Sequence, residues 1–244
     1  MPFPLVHNEL QAAYRLVWAG FWENGFHRRI ILDLFGINLA LIGLPILLEL
    51  AERLSLLTPR SRPFLHPTND GSIQELGNYV QAGLCVIFLA LVVWKRHSIM
   101  ALAWCCVFLF VLIDDALQYH ETVGAWLATT FNFPSLGGMR PVDLGELLAW
   151  SMAGQVVGPM LTVAFLRSSG VERGMGLILM ACFGALVVCA VGLDMLHVAV
   201  PSELLMVAED GGEMIAIALA CSVSLLWAGT LVVEPSAAPR QSFY

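Results

Sequence analysis

Apolar residues run in long blocks separated by short polar turns. Six blocks stand out, at residues 31–50, 76–94, 99–113, 144–166, 174–193 and 214–233. A helix needs about 20 mostly apolar residues to cross the hydrocarbon of a bilayer. Each block therefore predicts a transmembrane helix. The third is short and reaches full length with Ala116 to Tyr119, provided that Asp114 and Asp115 face protein. The second and sixth start earlier, in the polar turns at residues 72–79 and 202–212. Strict two-residue alternation is missing, so a β-barrel is not expected. The prediction is an all-α, polytopic bundle of about six spans.

Residues 1–30 read differently. Trp18, Phe21, Trp22 and Phe26 alternate with Glu9, Arg15 and Glu23 over one stretch. That mixture predicts an N-terminal helix lying at the membrane interface, or packed as the first helix of a complex. The stretch has no unbroken apolar core and no small-residue cleavage site, so it does not read as a secretory signal. Residues 31–233 form the bundle, and residues 234–244 read as a short disordered tail.

Composition agrees with the pattern. Of the 244 residues, 58% are hydrophobic and 13% charged, against roughly 25% charged in a soluble domain. Eight of the twelve basic residues fall on one side of a six-span bundle, namely Arg15, Arg28, Arg29, Lys95, Arg96, Arg167, Arg173 and Arg240. The other side has Arg53, Arg60, Arg62 and Arg140. The positive-inside rule then places both termini in the cytoplasm, in a cell inner membrane. The acidic residues divide more sharply. Fourteen of nineteen fall at the opposite, exoplasmic end. Acidic residues contribute little to topology, so their concentration needs another cause. His66, His120 and His197 share that end. The six cysteines lie inside spans without metal-finger spacing, and read as small apolar residues. Cys85, Cys105 and Cys106 are close enough in register to approach one another.

The candidate chemistry sits at these span ends. The run Asp114, Asp115, His120, Glu121 directly follows an apolar block. Asp114 and Glu121 are seven apart, which puts them on one face of a continuous helix. Asp194 and His197 are three apart and project together, a spacing like the carboxylate-x-x-His ligands of di-iron bundles. Glu209 and Glu213 are four apart at the start of the sixth span. Glu146 follows Asp143 by three at the start of the fourth. Crowded carboxylates repel one another unless protonated or bridged by a cation. Asp114, Asp115, His120, Glu121, Glu146, Asp194, His197, Glu209 and Glu213 are therefore the predicted metal-ligating set. Oxygen with a few imidazoles suits iron, copper, manganese or zinc.

Simpler readings compete at several positions. Asp143 after Pro141 fits a helix cap. Glu203 follows Ser202 and Pro201 as a helix-start residue. Glu49 and Glu52 are both placed to pair with Arg53, which is the leading reading for Glu52. Asp70 belongs to the turn Asn69-Asp70-Gly71.

The acidic pair Asp114-Asp115, the His120-Glu121 that follows, and the late acidic cluster resemble a group of uncharacterised bacterial multi-pass membrane proteins, over residues 70–220. That resemblance implies no activity. The chain is also faintly similar to the membrane C subunit of the copper membrane monooxygenases, which has about six spans and an exoplasmic-side site of aspartate and histidines. Residues 68–75, 140–146 and 192–213 fall in comparable places. Where that subunit leads one to expect a histidine near Asp143, this chain has none.

Three functions follow from these readings. The first is a membrane metalloenzyme that oxidises a lipid-soluble substrate, or hydrolyses a lipid-soluble or periplasmic one through a metal-activated water. The second is a cation or proton transporter. Against it, the cytoplasmic halves of the spans offer few polar residues, namely Asn38, Gln155, Ser222 and Ser224. The third is a structural or assembly subunit held among other membrane subunits. No Gly-rich phosphate loop points to a nucleotide, and no basic patch points to nucleic acid. No serine stands in a recognisable nucleophile turn. The His-x-x-x-His pair usual in membrane ceramidase-type zinc hydrolases is also missing.

Overall fold

A computed structural model describes residues 3–56, 71–200 and 202–231. Arg60, Arg62, His66, Thr68, Asp70 and the tail at 234–244 lie outside the described residues, as does the side chain of Glu203. The chain is an all-helical bundle. Among the described residues the only β-type pairing is an isolated bridge between Leu136 and Met139.

The elements in chain order are α1 (Phe3–Glu23), α2 (Gly25–Arg53), α3 (Ile73–Arg96), α4 (Ile99–Leu117), α5 (Tyr119–Phe131), α6 (Pro141–Arg167), α7 (Gly170–Val187), a π-helical turn (Val188–Leu193), α8 (Asp194–Ala199) and α9 (Glu203–Gly229). Six helical stretches are long and apolar enough to cross a membrane: Gly25–Arg53, Ile73–Arg96, Ile99–Leu117, Pro141–Arg167, Gly170–Val198 and Leu204–Gly229. Arg28, Arg29, Lys95, Arg96, Arg167 and Arg173 mark one end of the bundle, hereafter the basic end. The carboxylates mark the acidic end.

Sequence chemistry sets the helix ends. Asn24 caps α2 by accepting from the Phe26 and His27 amides. Ser72 caps α3 by accepting from the Glu75 amide, and Ser98 caps α4 by accepting from the Ala101 amide. Each such cap satisfies an amide that the helix itself leaves open.

The last helix is the core of the bundle. In α9, 72% of the apolar window is buried, against 11% in α2. The outer helices expose apolar side chains such as Leu39, Leu47 and Val156, as lipid-facing surfaces do. Lipid tails are as apolar as leucine, so close packing and polar pairs hold such helices together. The main core gathers Cys85, Leu89, Val92, Trp104, Phe108, Met175, Leu179, Cys221 and Trp227 around α9. Asn38 on α2 and Gln81 on α3 exchange amide hydrogen bonds of 3.0 and 2.9 Å inside the bundle.

The N-terminal helix packs on the bundle. Glu9 on α1 meets Arg173 in the first turn of α7 at 3.2 Å, and both side chains are nearly buried. At Gly174 a Cβ would stand 2.3 Å from the Glu9 carbonyl oxygen. Only a glycine allows the two helices so close. Tyr14, Trp18 and Trp22 form an exposed aromatic ladder along α1, stacked between the first two rings and tilted between the last two.

One expectation fails here. Residues 99–119 are not one helix. It stops at Leu117, and Gln118 adopts a left-handed conformation (φ 49°, ψ 44°) from which α5 starts in a new direction. Asp114 and Glu121 therefore do not share a face of a continuous helix. The break is stabilised by Asp114 itself, whose carboxylate serves the new helix.

Candidate functional site

The site is assembled at the acidic end from five helix ends. Asp114 closes α4 and is almost fully buried. One of its oxygens accepts from the His120 backbone amide at 3.0 Å, and the other lies 3.0 Å from His120 Nδ1. His120 thus starts α5 with its ring already fixed. The ring leans on Trp150 of α6 at 5.8 Å between centroids. Phe110 braces both Trp150 and Tyr119 from below.

α5 and the start of α6 form a tight hairpin. A Cβ on Gly145 would lie 2.0 Å from the Gly124 carbonyl oxygen, so the two backbones touch. A Cβ on Gly124 would in turn stand 2.7 Å from Glu146. This contact carries Glu146 to the His120 side of α6. Asp143 beside it has a structural job. It accepts from the Arg140 amide at 2.6 Å and from the Arg140 guanidinium at 2.7 and 3.0 Å. That is a helix-start clamp.

The π turn orients the second histidine. π turns inserted in α-helices recur at functional sites. This one seats Cys189 against Gly212 of α9, where a Cβ would come within 2.5 Å of the cysteine sulfur. Beyond it, α8 presents Asp194 and His197. His197 Nδ1 lies 3.4 Å from Glu209 Oε2 on α9, within ion-pair range but not aligned as a hydrogen bond.

Both histidines therefore direct Nδ1 to a carboxylate of another helix. Nε2 of each is left without a hydrogen-bond partner among the described residues. Asp194 is within electrostatic reach of both imidazoles, His120 and His197, and of Arg140 and Asp143. Glu146 is within reach of His120, Glu121 and Asp194. Deeper in the bundle, Glu213 is within reach of Asp115, Asp194, Glu209 and Asp210. The nine predicted residues fall at the same end and act on one another's charge. Among the described residues, however, no three His, Cys, Asp or Glu side chains stand close enough together to hold a metal ion.

The electrostatics of the groups at the rim follow. Burial lowers the His120 pKa, but the hydrogen bond to Asp114 and the charges of Asp114, Glu121 and Glu146 outweigh it and raise the pKa above the ordinary value. Arg140 is likewise raised, by its hydrogen bonds and attraction to Asp143.

Other acidic residues go elsewhere. Glu49 pairs with Arg53 at 2.6 Å on the exposed end of α2, as expected from the spacing. Glu75 accepts from the Gly71 amide at 2.5 Å and from the Tyr79 hydroxyl. Cys85 stands against Cys221 and Ser224 rather than against Cys105 and Cys106. Cys105 points at the Val86 carbonyl instead. Three contributors escaped the sequence reading. Trp150 and Phe110 are the shelf under His120, and they are indistinguishable in sequence from lipid-facing aromatics. The buried amides Gln74, Asn78 and Gln81 are the third, and their spacing of four and three was a readable signal.

Residues 71–227 match a family model described as a domain of unknown function (DUF8692). No curated protein and no solved structure matches the chain. The similarity to the copper monooxygenase subunit therefore gains no support.

Proposed function

This chain belongs to the DUF8692 family, and we propose that it is a membrane metalloprotein with its metal between His120 and His197. One observation carries the reading. Each histidine turns Nδ1 to a carboxylate on another helix, hydrogen-bonded at 3.0 Å for His120 and 3.4 Å away for His197, and Nε2 is disengaged among the described residues. Metal-ligating histidines are commonly held this way, by a carboxylate behind the ring that fixes its orientation and raises its basicity. Asp194 and Glu146 supply the oxygen donors. The positive charge of a bound ion would offset the repulsion among these carboxylates. Iron, copper, manganese or zinc suit such a mixed set.

Bound there, the metal would supply Lewis acidity or redox chemistry. The chain's own residues would hold and orient it. Asp114 and Glu209 would fix the rings, and Arg140 with Asp143 would close the rim. The substrate class that fits is a lipid-soluble molecule, or one arriving from the aqueous side of the acidic end. The excess of basic residues at the opposite end favours cytoplasmic termini and an exoplasmic chamber in a cell inner membrane.

Thermal unfolding of chelator-treated protein tests the reading. A metal at 100 times its Kd stabilises the folded state by about 2.7 kcal/mol. A raised midpoint with one of the four metals, abolished by His120→Ala, is expected. No shift with any of them contradicts the reading. A second reading, cation or proton translocation, draws on the amides that continue polar chemistry down α3. Ion flux into proteoliposomes separates it from the first.

A further inference from the structure

α4 and α6 meet toward the acidic end, where Phe110 stands edge-on to Trp150. Toward the basic end they leave between them an open-sided groove with a volume of about 430 Å³. Ala103 and Ala164 form its floor. Both are buried, and their methyl groups are too small to fill it. Ile99, Leu102 and Val163 form its walls, and all three are exposed on the outside of the bundle. Cys106 lies at its deep end. From Ile99 to Cys106 the groove follows α4 for two turns, about 10 Å of helix. The neighbouring Thr162 donates its hydroxyl to the Gly158 carbonyl at 2.8 Å, so the lining stays apolar.

The mouth of the groove has the opposite character. Arg167 follows Val163 and Ala164 by four and three residues, so it continues the same face of α6 one turn further out. It is exposed and pairs with no described residue. The turn between α3 and α4 sets Lys95 and Arg96 just ahead of Ile99, and both are exposed. α4 also begins here, and the positive end of its dipole adds to the same field. Of the carboxylates at the basic end, Glu9 is held by Arg173 and Asp33 lies 3.8 Å from Arg29.

We propose that this groove binds one anionic phospholipid, with an acyl chain lying between α4 and α6 and the phosphate on Arg167. An apolar groove alone takes the chain of any lipid. The cations at its mouth select a negative headgroup, as basic pockets between spans do for anionic lipids. The site lies at the opposite end of the bundle from His120 and His197 and stands independently of any metal.

Native mass spectrometry of the delipidated full chain in neutral detergent tests it. The probes are dioleoyl phosphatidylglycerol and dioleoyl phosphatidylcholine, which share their chains and differ in headgroup charge. The wild type should bind the first lipid about tenfold more tightly than the second, and Arg167→Gln should lose about fivefold of that preference. Val163→Trp puts an indole into the groove from an exposed wall position, and should weaken phosphatidylglycerol binding about tenfold. Leu102→Trp, from the facing wall, gives the reading should Val163→Trp fail to fold. Val156→Trp, at an exposed position of α6 outside the groove, should bind as the wild type does. Equal affinity of the wild type for the two lipids overturns the proposal. So does a folded groove variant that keeps wild-type affinity for phosphatidylglycerol, because the lipid then sits elsewhere.

Discussion

The carboxylate of Asp114 holds His120 by two nitrogens at once, the backbone amide and ring Nδ1, each at 3.0 Å. The helix break at Gln118 lies between the two residues. Asp114 therefore caps α5 and aims its first imidazole, so folding and site geometry depend on the same two oxygens.

Asp114→Ala should cost both functions. It removes the α5 cap and leaves the His120 donors unpaired in a half-buried place. The loss should be about 2–3 kcal/mol. Denaturant unfolding in detergent measures it. Asp115→Ala, whose carboxylate does not hold the break, should cost clearly less.

The α5–α6 hairpin rests on two glycines in backbone contact. Gly145→Ala places a methyl 2.0 Å from the Gly124 oxygen. The hairpin must open, at a cost of about 2–4 kcal/mol, and Glu146 is carried away from His120. Gly154→Ala, with open space around it, should be neutral or gain up to about 1 kcal/mol in helix propensity. Thermal unfolding of the pair reads the difference.

At the other end of the molecule, a nearly buried ion pair ties α1 to α7. Arg173 also donates to the Phe165 and Ser168 carbonyls, and Glu9 also accepts from the Gly170 amide. Glu9→Ala leaves a nearly buried guanidinium without its counter-ion, a loss of about 3–5 kcal/mol. Hydrogen exchange should rise throughout α1 and stay unchanged in α9.

Much of this was legible in the chain. Apolar length gave the six spans, since hydrocarbon thickness leaves little freedom. The segregation of acidic residues in the chain is repeated in the fold, where the carboxylates gather at one end of the bundle. The break at Gln118 was not legible, because glutamine has no special tendency toward left-handed geometry and the cause lies four residues earlier in Asp114. The π turn left no local mark either. It reflects the contact of Cys189 with Gly212, two helices apart in sequence. The reading of Asp143 as a helix-start residue followed from Pro141, but its clamp on Arg140 depended on knowing where α6 begins.

Metal stoichiometry per chain tests the central claim most directly. Elemental analysis of protein purified without chelator should find about one transition-metal ion per chain, from the mixed nitrogen and oxygen donors. His120→Ala and His197→Ala should each abolish it. His97→Ala, which lies at the basic end of α3, should retain it. Wild-type protein that carries no metal and takes none up on reconstitution, or histidine variants that keep the full complement, would contradict the account.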